Sequence, residues 1–148
     1  MPNSYIEGFC HFVWATKNRE AMINAEMEPR LHEHVRQTCG RLRVHVYALN
    51  GMPDHMHLVC SIPLAASIPD FVQSVKGGSS HFINQIAHLA PCLYWQPGYG
   101  LLTFSEDNLA RVVSYVEHQK ERHRTGRLSP KMERTEPPER DHSVVPSP

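Results

Sequence analysis

Apolar and polar positions in the first half of the chain predict a strand, a helix and a two-stranded hairpin. Residues 5–15 are rich in aromatic and β-branched side chains, which is typical of a strand. Residues 26–42 place apolar side chains mostly four positions apart, which predicts an amphipathic helix. Residues 43–49 alternate between apolar and polar side chains, and Asn50-Gly51 is a strong turn signal, so residues 52–62 are predicted to form the partner strand.

The second half of the chain predicts two further helices around one strand. Ser67 suits the N-cap of a helix that continues toward residue 88. Within that helix Gly77-Gly78 costs roughly 1 kcal/mol per glycine, so the pair marks either a break or a close approach of the backbone to a ligand. Residues 94–104 indicate a strand that a Pro-Gly pair interrupts, and Ser105, followed by two acidic residues, predicts the N-terminus of a last helix.

The element order, β-α-β-β-α-β followed by a last helix, predicts an α+β fold with a ferredoxin-like core. In this arrangement the helices cover one face of an antiparallel sheet, and a homodimer would cover the other face. The predicted domain spans residues 1–125. Residues 126–148 hold five of the chain's 12 prolines among charged side chains, which is typical of a flexible tail without a core of its own.

Composition limits the classes of function open to the chain. With 15 basic and 15 acidic residues its formal net charge is zero, so a nucleic-acid surface must be a local patch. The four cysteines lack the paired spacing of structural zinc sites and indicate reduced thiols. No apolar run approaches the roughly 20 residues of a membrane span, and the N-terminus lacks the pattern of a signal peptide. These features predict a cytoplasmic protein without a membrane partner.

His55-Met56-His57 is the first candidate site. Side chains alternate along a strand, so both imidazoles share one face while Met56 and Leu58 face a core. Neutral imidazole is among the commonest ligands of divalent metals. The chain has 11 histidines, however, and a chance pair on a half-exposed strand is the more ordinary explanation of this motif alone.

Tyr115, on the last predicted helix, is the second candidate. The apolar stripe of this helix comprises Leu109, Val112, Val113 and Val116. Tyr115 and Gln119 share a helix face about 70–110° from the centre of that stripe. Arg111, His118 and Arg122 lie beyond them on the same side. A nucleophile is expected at such an edge, beside cations that hold phosphates, although a boundary tyrosine that exposes its hydroxyl to water is the alternative.

Nucleic-acid contacts are predicted around this tyrosine and in the loop before it. Lys120, Arg122 and His118 belong to a basic cluster that flanks the tyrosine and suits phosphate contact, although such clusters are usually solvated helix ends. Trp95 and Tyr99 suit either stacking on bases or packing in a core.

Five segments of the chain carry a resemblance to a known family. They are Phe12-Val13-Trp14-Ala15-Thr16-Lys17; Gly51-Met52-Pro53-Asp54-His55-Met56-His57-Leu58-Val59; Ser74-Val75-Lys76-Gly77-Gly78-Ser79-Ser80; Trp95-Gln96-Pro97-Gly98-Tyr99-Gly100 with Thr103-Phe104-Ser105; and Tyr115-Val116-Glu117-His118-Gln119. In this order, over roughly residues 5–124, they resemble the TnpA-like, single-tyrosine transposases of small insertion sequences. That family is part of the HUH (His-hydrophobe-His) nuclease superfamily.

The resemblance implies a homodimeric, ferredoxin-like enzyme that nicks and rejoins single-stranded DNA at the ends of a mobile element, often after recognising an imperfect hairpin. By matching positions, it implies that His55, His57 and Gln119 bind Mg²⁺ or Mn²⁺. It also implies that Tyr115 is the nucleophile, which forms a 5′-phosphotyrosine. In the family the tyrosine helix can dock against the histidine pair of the partner subunit.

The predicted DNA-binding set combines residues of two matched segments with the surroundings of the tyrosine. It comprises Lys76, Arg111, His118, Lys120, Arg122, Trp95 and Tyr99. Because the total charge is balanced, these local cations would have to supply the affinity for a polyanion.

Three other functions remain open to the sequence. The first is a domesticated relative that binds structured DNA or RNA without transposing it. The second is a metal-dependent hydrolase of small molecules, which would need further acidic or histidine ligands beside His55 and His57 and would be barely affected by Tyr115→Phe. The third is a ferredoxin-like ligand-binding or dimerisation module in which both motifs are incidental.

Overall fold

The described part of the chain, residues 8–63, 65–86 and 92–137 of a computed structural model, is built around one antiparallel sheet. Its elements are β1 (Phe9–Ala15), α1 (Met27–Arg41), β2 (His45–Met52), β3 (His55–Ser61), α2 (Ile68–Asn84), β4 (Gly100–Phe104), α3 (Leu109–Glu117), α4 (Gln119–Thr125) and α5 (Pro130–Glu133). The strands lie in the order β2-β3-β1-β4, and every neighbouring pair is antiparallel. The predicted α+β fold with an antiparallel sheet is confirmed.

Strand β1 lies inside the sheet, and all seven of its residues are buried. It pairs with β3 on one side and with β4 on the other. Phe12 lies opposite Leu58 of β3, and Trp14 lies opposite Met56. These four side chains belong to the main apolar core, which they share with the buried faces of α1 and α2.

The two helices of this core follow the predicted apolar spacing. In α1 every fourth residue from Met27 to Cys39 is buried, so a single stripe faces the sheet. In α2 the N-cap is Ser67, whose side chain accepts a hydrogen bond from the helix backbone, as predicted. The helix runs unbroken through Gly77-Gly78, and Gly78 lies against the ring of His34 in α1. No helix in the described ranges is long and apolar enough to cross a membrane.

The second sheet face is covered by the chain's own C-terminal helices. Val112, Tyr115 and Val116 of α3 pack against Ala48 of β2 and Val59 of β3 in a smaller apolar cluster. The two helices of the predicted core, α1 and α2, share one face of the sheet as predicted, whereas the last helix covers the other face. The buried side of α3 packs on the second sheet face, which a second copy of the chain was expected to cover.

The β2–β3 hairpin turns later than its sequence suggests. The structure places the turn at Pro53-Asp54, and Met52 pairs with His55 beside it, so the predicted turn at Asn50-Gly51 is wrong. Gly51 instead lies within β2, where an added Cβ atom would meet the backbone of His55. The glycine is needed for a close approach of two strands.

Two other boundaries differ from the prediction. The strand expected over 94–104 begins at Gly100, and Trp95 makes an isolated bridge to Thr16 instead. The helix expected to continue toward residue 88 is described as far as Asn84, and residues 87–91 lie outside the described ranges.

The segment after α4 packs onto the sheet, which differs from the prediction of a tail without a core. Ser129 caps α5 by accepting a hydrogen bond from the backbone N–H of Met132. Met132 packs against the smaller apolar cluster, and α5 contacts β1 and β4. Residues 138–148 of the predicted tail lie outside the described ranges.

Two leucines on strands test which side chains hold this fold together. Leu58→Ala removes a side chain that is fully buried between the sheet and the two helices, and we expect a loss of about 2–5 kcal/mol in the free energy of unfolding. Leu102→Ala, on the edge strand and 38% exposed, should cost less than about 1 kcal/mol. Urea unfolding measures both, and equal losses would contradict this description of the core.

Candidate metal and tyrosine site

The two histidines of the His-x-His motif lie at the start of β3, on the face that α3 covers. His55 is 2% exposed and His57 is 0% exposed, while Met56 between them belongs to the opposite core. The prediction that both imidazoles share a face is confirmed. They are buried, however, so the explanation as a half-exposed pair does not hold.

Each imidazole is held by a partner at its Nδ1 atom. Asp54 Oδ1 lies 2.7 Å from Nδ1 of His55, and His11 Nε2 lies 2.8 Å from Nδ1 of His57. An ionised carboxylate can only accept, which assigns a proton to Nδ1 of His55 and, in the neutral ring, directs the Nε2 lone pair into the site. Partners of this kind orient the histidines of metal sites.

Tyr115 and Gln119 reach the same region from the helices above the sheet. Tyr115 lies in the last turn of α3, and Gln119 is the first residue of α4. The helix is interrupted at His118, yet both side chains remain buried, at 3% and 0% exposed. Gln119 Oε1 lies 3.4 Å from Nε2 of His55. Because the Tyr115 side chain is buried, the alternative of a boundary tyrosine is also excluded.

Glu133, at the end of α5, connects the histidines to the tyrosine. Its Oε2 atom lies 2.9 Å from Nε2 of His57 and 3.3 Å from Nε2 of His55. Its Oε1 atom accepts a 2.6 Å hydrogen bond from the Tyr115 hydroxyl. The same hydroxyl oxygen accepts a 3.0 Å hydrogen bond from the backbone N–H of Ser129. One carboxylate therefore joins both predicted motifs.

Burial and charge set the protonation of the site. Burial, with the contact to Glu133, raises the pKa of Tyr115 to about 12. Burial lowers the pKa of His57 and brings that of His11 to about 3. Burial would also lower the pKa of His55, but hydrogen bonding to two carboxylates raises it overall. Burial would raise the pKa of Glu133, yet hydrogen bonding to the two site histidines holds it far below its usual range, so the carboxylate is ionised.

This donor set fits a divalent cation. One nitrogen each of His55 and His57 and one oxygen of Glu133 all lie within 4.8 Å of one another. Ligands about 2.1 Å from a shared ion and at right angles would be spaced about 3.0 Å apart. The nitrogen-to-oxygen distances of 2.9 and 3.3 Å are close to that spacing.

A basic cleft of about 730 Å³ opens beside the tyrosine. The cations that line it are Arg111, Arg122, Arg127 and Lys131. The Arg122 guanidinium carbon lies 4.6 Å from the centroid of the Tyr115 ring. None of the described residues that line the cleft carries a carboxylate. The cleft is thus a local basic patch. Because the total charge of the chain is balanced, such a patch is what any contact with nucleic acid would need.

Three of the predicted DNA-binding residues lie on the α1–α2 side of the sheet. Lys76 of α2 donates hydrogen bonds to two backbone carbonyls of the loop before β4. Trp95 donates from its indole nitrogen to Ser79, and Tyr99 packs against the ring of Phe12. Both aromatic side chains border the main core and are partly buried. The structure thus groups these three residues with α2, apart from the basic cleft.

Lys120 and His118 are also engaged within the chain. Lys120 Nζ lies 2.8 Å from a carboxylate oxygen of Glu28 and donates to Asn50, so it ties α4 to α1 and β2. His118 is exposed at the helix break, and its Nδ1 lies 2.7 Å from the carbonyl oxygen of Ser114. Of the predicted set, Arg111 and Arg122 are the two that line the cleft.

Sequence reasoning missed His11, Asp54 and Glu133. His11 is a polar residue in a strand of otherwise apolar side chains, a pattern that indicates a buried polar partner. Ser129-Pro130 is a typical start of a helix and was the available signal for α5. The proline-rich composition around it hid that signal.

Comparisons with known proteins agree with one family. The pattern of the family described as "Transposase IS200 like" matches residues 5–119. The ISDra2 transposase TnpA of Deinococcus radiodurans is 32% identical over 114 residues, which cover 74% of this chain and 81% of that protein. The transposase for insertion sequence element IS200 of Salmonella typhimurium is 27% identical over 121 residues, covering 78% and 79%.

Two solved structures share the fold. A candidate transposase from Deinococcus radiodurans superposes with a TM-score of 0.65 at 30% identity, covering 80% of this chain and 95% of that one. A REP-associated tyrosine transposase bound to a REP hairpin gives a TM-score of 0.62 at 16% identity, covering 86% and 74%.

The role of Asp54 in setting the His55 tautomer can be measured directly. Asp54→Ala removes the acceptor of the Nδ1 proton, so we expect the Nε2-protonated tautomer of His55 to appear. Nitrogen-15 spectra of the histidine rings report this change. Asp107→Ala, at an exposed position, is the matched control and should leave the His55 signals unchanged. Unaltered His55 signals in Asp54→Ala would contradict the assignment.

Proposed function

The chain belongs to the IS200-like transposase family, and on that premise we propose that it is a metal-dependent transposase that nicks and rejoins single-stranded DNA through Tyr115. The proposal names the nucleophile, the ligands and the substrate. The observation that carries it is the shared carboxylate of Glu133, which contacts His55 and His57 with one oxygen and the Tyr115 hydroxyl with the other. The Tyr115 hydroxyl and the imidazoles of His55 and His57 thus contact the same carboxylate.

The proposed reaction exchanges one phosphodiester bond for another. The oxygen of Tyr115 attacks the scissile phosphorus, the bond to the 3′ oxygen breaks, and a 5′-phosphotyrosine and a free 3′-hydroxyl result. The phenolic proton is released to water, and the departing 3′ oxygen takes up a proton from water, so the step is balanced. Because the energy of the phosphodiester is kept, a second 3′-hydroxyl can reverse the step and join new strands.

The side chains of the site have separate tasks in this reaction. His55, His57 and Gln119 would hold Mg²⁺ or Mn²⁺, which when bound acts as a Lewis acid toward the phosphate. A phenol with a pKa of about 12 attacks poorly unless its developing charge is met by cations. The Arg122 guanidinium over the ring of Tyr115 supports that task from the side of the cleft.

The basic cleft supports a single strand as the substrate. It borders Tyr115 and is lined by four cations, which suits successive phosphates of an extended backbone. A relative with the same fold is bound to a REP hairpin, and we propose hairpin-containing ends as the DNA of this chain as well. We further propose a homodimer in which each tyrosine acts beside the histidine pair of its own chain, since Tyr115 and His57 already face each other here.

A metal-dependent hydrolase is a second candidate, because the structure adds the acidic ligand that such an enzyme needs. Two histidines and a glutamate form a common hydrolytic metal set. In that case water would be the nucleophile. Tyr115 would then contribute to packing alone, and its hydroxyl would be dispensable.

Tyr115→Phe separates the two functions. We expect the native chain, incubated with Mg²⁺ and labelled single strands from the flanks of its own gene, to form protein–DNA adducts that survive denaturation. Tyr115→Phe should form none, because the attacking oxygen is absent, and His57→Ala should lose at least about a hundredfold. Denaturing gels measure the adduct.

The control for this experiment is Tyr94→Phe, which removes a hydroxyl from a tyrosine that is 54% exposed. It should form adducts at the native level. Abundant adduct from Tyr115→Phe would overturn the nucleophile. Failure of the native chain to form any adduct with element ends that it binds would favour a domesticated DNA-binding relative.

Arg111→Ala tests the cleft as the path of the strand. Removing one phosphate contact should lower the slope of log affinity against log salt by about 0.7, since each neutralised phosphate of a single strand releases that share of a counterion. Fluorescence anisotropy over a salt series measures the slope. Arg124→Ala, at an exposed arginine that does not line the cleft, is the control. Equal slopes for both variants and the native chain would contradict the path.

A further inference from the structure

Glu133 lies beyond residues 5–119, the part of the chain that matches the family pattern, yet it is at the centre of the site. We propose that Glu133 is the anionic ligand of the divalent cation held by His55 and His57, and that its other oxygen positions the Tyr115 hydroxyl beside that cation. This inference rests on the proposed function. It makes the segment 126–137 part of the active site.

Potential metal ligands from three elements of the fold converge at this point. Asp54 fixes the Nδ1 proton of His55, so the Nε2 atom of the neutral ring has no proton to donate. Two oxygen acceptors nevertheless face that nitrogen, Glu133 Oε2 at 3.3 Å and Gln119 Oε1 at 3.4 Å. Nε2 of His57 lies beside them, so that ligand atoms of His55, His57 and Glu133 all lie within 4.8 Å of one another.

Two arrangements suit these atoms: hydrogen bonds among them, or a metal ion that they share. Gln119 Oε1 also lies 3.0 Å from Nε2 of His123, and Glu133 Oε2 lies 2.9 Å from Nε2 of His57. A metal ion accepts lone pairs from the nitrogens and the oxygens together. The convergence of donors from β3, α4 and α5 therefore favours the metal.

The segment that carries Glu133 has contacts on both sides of α5. Ser129 caps α5 on its N-terminal side. After the helix, Thr135 accepts a hydrogen bond from Arg19, and Glu136 accepts one from Gln96. Before the helix, the backbone N–H of Ser129 donates to the Tyr115 hydroxyl, so both ends of the segment contact other parts of the fold. A ligand held from both sides is pre-organised for binding.

The second oxygen of Glu133 gives the carboxylate a further role. Oε1 accepts a 2.6 Å hydrogen bond from the Tyr115 hydroxyl, while Oε2 faces the two imidazoles. The carboxylate of Glu133 therefore bridges the nucleophile and the proposed cation. A six-coordinate ion with His55, His57, Gln119 and Glu133 as ligands keeps two positions for phosphate oxygens.

An inhibitory role for Glu133 would give the opposite experimental result. A carboxylate between the tyrosine and the histidines carries a negative charge as a phosphate does, and it could exclude the substrate instead of assisting it. In that case its removal would increase adduct formation and leave cation binding unchanged.

The test measures Mn²⁺ binding to the full chain without DNA, from the electron paramagnetic resonance signal of the free ion. Glu133→Gln keeps the size of the side chain and removes its charge, and we expect the Kd for Mn²⁺ to rise at least about tenfold. Glu133→Asp keeps the charge on a shorter side chain. Its Kd for Mn²⁺ should lie between those of the native chain and Glu133→Gln. Glu106→Gln, at an exposed glutamate outside this segment, is the matched control and should bind as the native chain does.

A second readout uses the adduct assay across Mn²⁺ concentrations. For Glu133→Gln the concentration that gives half-maximal adduct should rise in parallel with the Kd, and high Mn²⁺ should recover part of the yield. A Kd within twofold of the native value overturns the proposal, as does a higher yield than native at low Mn²⁺. Circular dichroism confirms that each variant is folded.

His57→Ala separates this inference from the proposed function. If His57→Ala abolishes Mn²⁺ binding and Glu133→Gln does not weaken it, Glu133 is not a ligand and the proposed function stands. If neither variant changes Mn²⁺ binding, the cation site itself is refuted.

Discussion

A buried polar cluster between the sheet and α3 is the constraint on which the rest of the structure depends. His55, His57 and Gln119 are almost fully removed from water, and so is most of Tyr115. Each such group left without a partner costs about 1–3 kcal/mol. Their partners come from β3, α3, α4 and, through Glu133, the segment that follows. These elements therefore stabilise one another, because the buried polar side chains of each find their hydrogen-bond partners on the others.

Strand alternation keeps this cluster separate from the apolar core. Met56 and Leu58 face α1 and α2, while His55 and His57 face α3. A shift of one residue in the pairing of β3 would exchange the two sets and bury the imidazoles among apolar side chains. The close contact of Gly51 with the backbone of His55 opposes such a shift, because it sets the register at the end of the hairpin.

Local sequence patterns predicted the helices and strands well. They did not predict contacts between residues that are distant in sequence. The four-residue spacing located α1, and the His-x-His pattern placed two imidazoles on one face. Asn50-Gly51 misled because a glycine that serves a close approach has the same sequence signature as a glycine in a turn. Glu133 meets His57 across 76 positions, and nothing in its own neighbourhood of the sequence records that contact. The roles of Tyr115, Gln119 and the cations remain predictions.

The packing of the segment after α4 bears on where this protein can be divided. The shared family pattern ends at Gln119, whereas the tyrosine hydroxyl finds both of its partners, Ser129 and Glu133, further along the chain. A boundary drawn from the family alone would cut through the site. A truncated chain that keeps both partners of the Tyr115 hydroxyl has to extend at least as far as Glu133.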